Sequence, residues 1–282
     1  EKFDLNVGGP TISLSGSVIG VGDQVTIVGR AGVKSIQLGR LKDFWPRGFG
    51  KVARRWVLGN MRQGQVENAQ ASISVRIPDT EKSDVLVDSF AGKLRLRNTT
   101  IRYNDNFPNV EKVEATAVFS KDRFVASIAS GVLQDLNVVS GQVRLLRLDS
   151  DKEHADIDVT VSGSLKTALT VTNNKPLQLV SKFGIDARTV EGWSKTDLNF
   201  KFPLSGALKL SDVKIGAKSR IVNALLPQSP LGKPIGAGNF NLQIDGSRLL
   251  LNGDATVAGT PVKLKWEERF EAERKFLRRY EI

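Results

Sequence analysis

The chain has 282 residues, of which 40% are hydrophobic, and its 41 basic and 30 acidic side chains give a formal net charge of +11. This composition excludes a disordered chain, and the absence of cysteine excludes disulfide frameworks, thiolate metal sites and cysteine nucleophiles. No segment approaches the roughly 20 consecutive apolar residues of a membrane-spanning helix.

Alternation of apolar and polar residues predicts β-strands along most of the chain. In each run one set of side chains is apolar and the intervening set is mostly polar, which is typical of a strand with one buried and one solvated face. The clearest runs are residues 3–7, 73–77, 113–119, 157–161, 240–244 and 262–266. We therefore predict a long series of half-buried strands.

The first interruption of the alternation lies between Trp45 and Gly64. Apolar residues recur there at spacings of three and four, which predicts a short amphipathic helix. The apolar positions are Phe49, Val52, Ala53, Trp56 and Val57. We expect the aromatic side chains of this helix to be packed.

Strands separated by two to four turn residues favour antiparallel meanders, because parallel strands need crossovers of a dozen or more residues. Residues 164–186 leave the alternation and predict two short helices or irregular turns. The tail 267–278 is charged and compatible with a helix, after which a strand can resume. The remaining predicted strands are 66–77, 85–96, 99–103, 112–120, 124–128, 132–139, 142–148, 155–163, 198–202 and 208–210, followed by alternation to residue 266 that is interrupted by a loop at 227–234.

Positive charge is concentrated between Arg30 and Arg62, a segment with nine basic residues and a single acidic residue, Asp43. Such an excess can attract the phosphates of nucleic acid or of lipid headgroups, and it can equally be a solvated surface with no dedicated partner. The helix with Lys51, Arg54 and Arg55 is the one candidate for nucleic-acid contact.

The sequence contains few candidate catalytic residues. His154 is the single histidine, and without cysteines it makes a zinc site improbable. Asp156 and Asp158 share one face of a strand, where we expect solvated side chains rather than an acid and base pair or a cation site. We predict no catalytic residue, no cofactor-binding residue and no metal ligand.

Two architectures differ in whether the apolar strand faces are covered. A sandwich seals these faces against each other, whereas a surplus of such faces can line a groove suited to an acyl chain. The alternation alone does not decide between the two.

Two segments resemble a known family. The first is Phe44-Trp45-Pro46 followed by Ala53-Arg54-Arg55-Trp56-Val57, Asn60 and Gly64, and the second runs through Gly253, Ala255, Gly259-Thr260-Pro261-Val262, Trp266-Glu267-Glu268, Phe270 and Arg278-Arg279-Tyr280. Both are similar to the central region of AsmA-like proteins of the YhdP type. The family motif of the helix comprises Trp45, Pro46, Arg54, Arg55 and Trp56.

The resemblance implies an all-β protein with a few short helices, in which an extended, curved antiparallel sheet forms a hydrophobic groove. It implies a periplasmic segment of a lipid-transfer bridge that shields phospholipid acyl chains between the inner and outer membranes. An inner-membrane anchor at the N-terminus and envelope partner proteins would belong to the longer protein, of which this chain would be an excerpt. No catalytic residues come with the family.

One apolar face would then line the groove. Its predicted lining residues are Val113, Ala115, Ala117, Phe119, Ile157, Val159, Val161, Leu198, Phe200, Phe240, Leu242 and Ile244. Along the chain we expect strands of a preceding segment at 1–43, a short helix and a meander at 44–163, and a helical insertion with further strands at 164–282. A cell-envelope scaffold with a closed core and a polyanion-binding β protein are the alternatives, although we expect no nucleic-acid partner.

Overall fold

A computed structural model of the chain describes residues 2–6, 10–21, 24–45, 47, 50–78, 85–175, 177–204, 208–246, 248–269 and 277–281. Most of these residues lie in β-strands. The strands of the first half are β1 (Lys2–Asn6), β2 (Thr11–Val21), β3 (Gln24–Gln37), β4 (Met61–Arg62), β5 (Gln65–Pro78), β6 (Leu86–Ile101), β7 (Val110–Ser120) and β8 (Arg123–Leu133).

The strands of the second half continue the same pattern. They are β9 (Leu136–Leu146), β10 (His154–Ser164), β11 (Glu191–Pro203), β12 (Lys214–Leu226), β13 (Ile235–Asp245), β14 (Arg248–Val257), β15 (Thr260–Arg269) and β16 (Leu277–Glu281). Each strand pairs with its neighbours in the chain, apart from the short β4, which pairs with β6. Most connections between these strands are short and return the chain beside the strand it has just left, and the two longer ones, residues 38–60 and 165–190, also lead into strands that continue the same order.

The chain divides into two compact units. The first unit comprises Glu1–Arg102, Glu111–Ala129 and Val143–Glu153. The second unit comprises Tyr103–Val110, Ser130–Gln142 and His154–Ile282, and it contains a buried hydrophobic core formed by strands β12 to β15, by helix α3 (Leu165–Thr172) and by Val190, which precedes β11.

Four α-helical segments interrupt the described strands: α1 (Leu41–Phe44), α2 (Lys51–Asn60), α3 and α4 (Leu179–Lys182). Helix α3 begins where the Ser164 hydroxyl accepts a hydrogen bond from the Thr167 backbone N–H at 3.4 Å, which satisfies one free donor of the first turn. Its apolar residues Leu165 and Leu169 lie one turn apart and face the core.

The prediction of an all-β fold, an antiparallel sheet with a few short helices, is confirmed. The helix predicted after Trp45 forms as α2, and the two short helices predicted in residues 164–186 form as α3 and α4. The strand that resumes after the charged tail is β16.

Some predicted boundaries were wrong. The predicted strands 85–96 and 99–103 form the single strand β6, and the predicted strand 132–139 contains the turn Gln134–Asp135, at which Gln134 has φ = +58°. Glu267 to Arg269 continue β15 rather than a helix, because their backbone pairs with β14 and β16. In place of the strand predicted at 208–210, a short 3₁₀ turn spans Leu210–Asp212.

Candidate functional site

A broad apolar face covers one side of the sheet in the second unit. Paired residues of an antiparallel sheet share a face, so the register defines its rows. One row crosses β10 to β14 as Val159, Leu198, Ala217, Ile244 and Leu249. The neighbouring rows are Ile157, Phe200 and Ile215 on one side and Val161, Thr196, Ser219, Leu242 and Leu251 on the other. We call these three rows the apolar face of the second unit.

Seven of the twelve predicted lining residues lie on this face and are only partly buried. They are Ile157, Val159, Val161, Leu198, Phe200, Leu242 and Ile244. Five strands spaced about 4.8 Å apart give a row roughly 19 Å long. The structure therefore brings these seven residues together on one face, in rows whose Ala217, Ser219 and Leu249 are buried.

Two hydroxyl groups lie within the apolar face. Thr196 and Ser219 are paired across β11 and β12, and their hydroxyl oxygens are 2.8 Å apart, within hydrogen-bond distance. The pairing partly satisfies both groups without a charged partner. The surface therefore remains uncharged along this row.

The opposite face of the same strands is polar. Asn199 donates a hydrogen bond to Asp158 at 2.7 Å, and Lys201 lies 3.3 Å from Asp156. Thr160 donates to Asp197 at 2.6 Å. The prediction that Asp156 and Asp158 belong to the solvated face agrees with these contacts, which are cross-strand pairs of a polar surface.

A helical cover closes the adjoining part of the apolar face. Beyond the Thr196 row, Phe240 is paired with Ile221 and is 5% exposed, within a core that also includes Leu165 of α3 and Val190. Phe183, just after α4, packs edge-on against Trp266 with ring centroids 4.9 Å apart. Phe240 thus contributes to the packed core, whereas its neighbours Leu242 and Ile244 remain partly accessible.

The first unit has a second apolar face that the predicted lining set omits. Val18, Ile27, Val75 and Val87 form a row across β2, β3, β5 and β6, and Val18 is 71% exposed. The alternation at residues 73–77 already marked this face, but the sequence did not indicate how much of it other residues cover.

The predicted lining residues of β7 are more buried than those of β10 and β11. Val113 is 2% exposed, and Ala115 and Ala117 are buried as well, so all three pack within the protein. Phe119 is partly buried and packs against Phe90, with ring centroids 5.2 Å apart. For these four residues, lipid contact stays a prediction.

Gly92 provides the space that the Phe119 ring occupies. A Cβ atom at position 92 would lie 2.3 Å from the ring and 2.4 Å from the Gln70 carbonyl oxygen. We expect Gly92→Ala to lower the free energy of unfolding by about 1–3 kcal/mol, because such overpacking displaces the ring or the strand. Urea unfolding measures this change.

The matched control for Gly92→Ala is Gly20→Ala in β2. No atom lies within 4 Å of a Cβ built at position 20, so this substitution should leave the unfolding midpoint nearly unchanged. Equal midpoints for the two variants would contradict the role assigned to Gly92.

Among the family-motif residues, the Arg54 side chain links helix α2 to the segment before it. Arg54 donates from Nε to the Trp45 carbonyl oxygen at 3.0 Å and from Nη2 to the Lys42 carbonyl oxygen at 3.2 Å. The expectation that Trp56 is packed was wrong: its side chain is 48% exposed. Arg55 is also exposed, and Pro46 and Phe49 lie outside the described side chains.

Two ion pairs lower the pKa of the carboxyl group that takes part in each. A hydrogen bond from Arg76 lowers the pKa of Asp88, and a hydrogen bond from Arg188 lowers the pKa of Asp186. Asp88 belongs to the first unit, and Asp186 lies between α4 and β11, outside the three rows of the apolar face of the second unit. His154 begins β10 opposite Pro203, and in the described part of the chain no three His, Asp or Glu residues are grouped as metal ligands.

A separate cavity of about 550 Å³ lies beside α3 in the second unit. Its lining includes Thr170, Asn173, Ser181 and Arg188, which are polar, together with Ile185. Acyl chains prefer apolar walls, so this cavity suits them less well than the apolar face.

Comparison with known families gave one match. The model of the family described as "YhdP protein" matches residues 10–274. No curated protein and no solved structure is detectably similar to the chain. Among the described residues, no helix has the length and hydropathy needed to cross a bilayer.

Proposed function

The chain belongs to the YhdP family, and from this premise we propose that it is a segment of a lipid-transfer bridge that shields phospholipid acyl chains in the bacterial envelope. The observation that carries the proposal is the partly accessible apolar face of the second unit, with Leu198 in its middle row and Phe200 in the row beside it. Isolated exposed apolar residues are ordinary, but contiguous apolar rows of this extent mark a binding surface.

The energetic basis of the proposal is the hydrophobic effect. Each CH₂ group moved from water to an apolar surface stabilises the bound state by about 0.8 kcal/mol when it is fully buried. A face that covers one side of an acyl chain recovers about half of that for each group along its length. The free-energy cost of moving the acyl chain through water is thereby reduced without any chemical step.

The polar face of the same strands is suited to solvent. Its carboxylates, amides and ammonium groups are paired across strands, as Asn199 is with Asp158. A lipid lying on the apolar face would keep its headgroup in water, so the strands would require no dedicated headgroup site.

The YhdP family is not a family of enzymes. We accordingly propose passive shielding, in which acyl chains move along the face and the direction of movement is set by a gradient or energy source outside this chain. In the whole protein the segment would lie in the periplasm and be tethered to the inner membrane, with envelope proteins as partners.

Photocrosslinking tests the proposal directly. A photoreactive amino acid placed at Leu198 or Phe200 should capture phospholipid in Gram-negative cells, and mass spectrometry of the adduct identifies it. The same amino acid at Lys195 or Lys218, which are exposed on the polar strand face, is the control and should capture none. Absence of phospholipid at all four positions would favour a structural scaffold.

A further inference from the structure

Helix α2 presents apolar side chains to solvent. Val52 is 78% exposed and Trp56 is 48% exposed, and they lie one turn apart on the same side of the helix. Val57 and Leu58 lie on the other side and are partly buried. The most accessible side chains of α2 therefore include the indole ring, which is a large apolar surface left uncovered.

Hydrogen bonds at both ends of α2 hold this side outward. Arg54 bonds to the Lys42 and Trp45 carbonyl oxygens before the helix. At the other end, the Arg102 backbone N–H donates to the Asn60 carbonyl oxygen at 2.8 Å, and its guanidinium donates to the Gly59 carbonyl oxygen at 3.4 Å. The exposure of Trp56 is thus a consequence of how the first unit anchors the helix.

Basic side chains flank the apolar pair. Lys51 and Arg55 are exposed beside Val52 and Trp56, and in the part of the chain that the structure describes neither has a carboxylate partner. Eight of the nine basic residues between Arg30 and Arg62 are exposed, Arg54 being partly buried. This segment therefore has a strong positive potential that favours anions.

We propose that the outward side of α2 docks on an anionic bilayer surface. Val52 and Trp56 would enter the boundary between headgroups and acyl chains, where tryptophan is favoured, while Lys51 and Arg55 would reach lipid phosphates. This contact uses a surface of the first unit, separate from the apolar face of the second unit, and it goes beyond the shielding of single lipids.

The side chains of α2 favour a bilayer over nucleic acid. Base recognition relies on amide and guanidinium groups that reach base edges. Arg55 is the exposed guanidinium of α2, and Asn60, its single amide side chain, already donates to the Trp56 carbonyl oxygen at 2.9 Å. An aliphatic side chain next to an indole ring is instead the composition of an interfacial helix.

Vesicle co-sedimentation of the 282-residue chain tests the proposal. Vesicles of phosphatidylcholine with phosphatidylglycerol should bind the chain, and vesicles of phosphatidylcholine alone should bind it about tenfold or more weakly, because the charge term needs anionic lipid. Val52→Ser with Trp56→Ser, and separately Lys51→Gln with Arg55→Gln, should each reduce binding to the anionic vesicles by about tenfold or more.

Matched controls distinguish binding by α2 from nonspecific binding by other exposed side chains and from an effect of misfolding. Val118→Ser with Trp193→Ser removes two exposed apolar side chains outside α2, and Lys195→Gln with Lys218→Gln removes two exposed lysines outside α2, so both variants should bind as the unmodified chain does. The blue shift of tryptophan fluorescence on vesicle addition should persist in Trp193→Phe and disappear in the conservative Trp56→Phe.

Three outcomes would overturn the proposal: equal binding to neutral and anionic vesicles, unchanged binding of both α2 double variants, or salt-sensitive binding to RNA with no binding to vesicles. The result is distinct from that of the shielding proposal. Lipid capture at Phe200 should survive Val52→Ser with Trp56→Ser, and failure of capture there would leave vesicle binding by α2 unaffected.

Discussion

Replacing Val159 and Phe200 together by glutamate should lower phospholipid captured at Leu198 by at least about tenfold. Both side chains lie on the apolar face of the second unit and are partly accessible, so a carboxylate fits there without entering the packed core. An acyl chain on that face would have to desolvate the new charges, which costs several kcal/mol, and each 1.4 kcal/mol is a factor of ten in binding.

The control for this prediction places the same charges on the polar face. Lys195→Glu with Lys218→Glu changes the net charge of the chain in the same direction and by more, yet these side chains are exposed on the side that we expect to face water. Capture should stay near the unmodified level. If both double variants lost capture equally, an electrostatic effect of net charge would explain the result better than an apolar surface.

Phe240→Ala should lower the free energy of unfolding by about 3–5 kcal/mol. Phe240 packs beneath α3 with Ile221 and Leu264 in the core of the second unit, and truncation would leave a cavity among them. Denaturant unfolding followed by circular dichroism measures the loss. This is the largest effect on stability that we expect from a single predicted lining residue.

The same variant tests the division between core and lining. Phospholipid captured at Leu198 per folded molecule should be unchanged in Phe240→Ala, because the helical cover keeps Phe240 from the accessible rows. Phe200→Ala provides the comparison. It should lower the free energy of unfolding less than Phe240→Ala does, and it should lower the amount of captured phospholipid more. The reverse pattern would place the lipid beneath α3 rather than on the apolar face.

Period-two alternation predicted the strands and their apolar sides because strand geometry is local: successive side chains point to opposite faces whatever lies beyond. The family-motif segment likewise predicted α2 at its place in the chain. The alternation did not predict how deeply each apolar side chain is buried. Val113 and Val159 occur in equivalent patterns, yet Val113 is 2% exposed and Val159 is partly accessible, because packing of distant segments decides burial.

Strand boundaries depended on details that a single sequence shows poorly. Strand β6 continues through Asn98, although its φ of +49° breaks the ladder, because the Asn98 backbone N–H donates to the Glu114 carboxylate at 2.9 Å. A side chain that replaces a strand partner leaves no signal in the alternation. The exposure of Trp56 was missed for a related reason, since helical spacing indicates which residues share a side but not whether anything packs against it.

The pairing of nearly every strand with its neighbours in the chain has a consequence for how the protein folds. Apart from β3 with β5 and β10 with β11, whose connections carry the helices, these contacts require only short loops to close, so little chain entropy has to be lost before each new strand is stabilised. Folding can therefore advance from one hairpin to the next as the chain emerges from a ribosome or a translocation pore. The edge of each apolar strand would then stay unpaired only until the next strand forms beside it. This shortens the interval in which the edge can pair with another molecule.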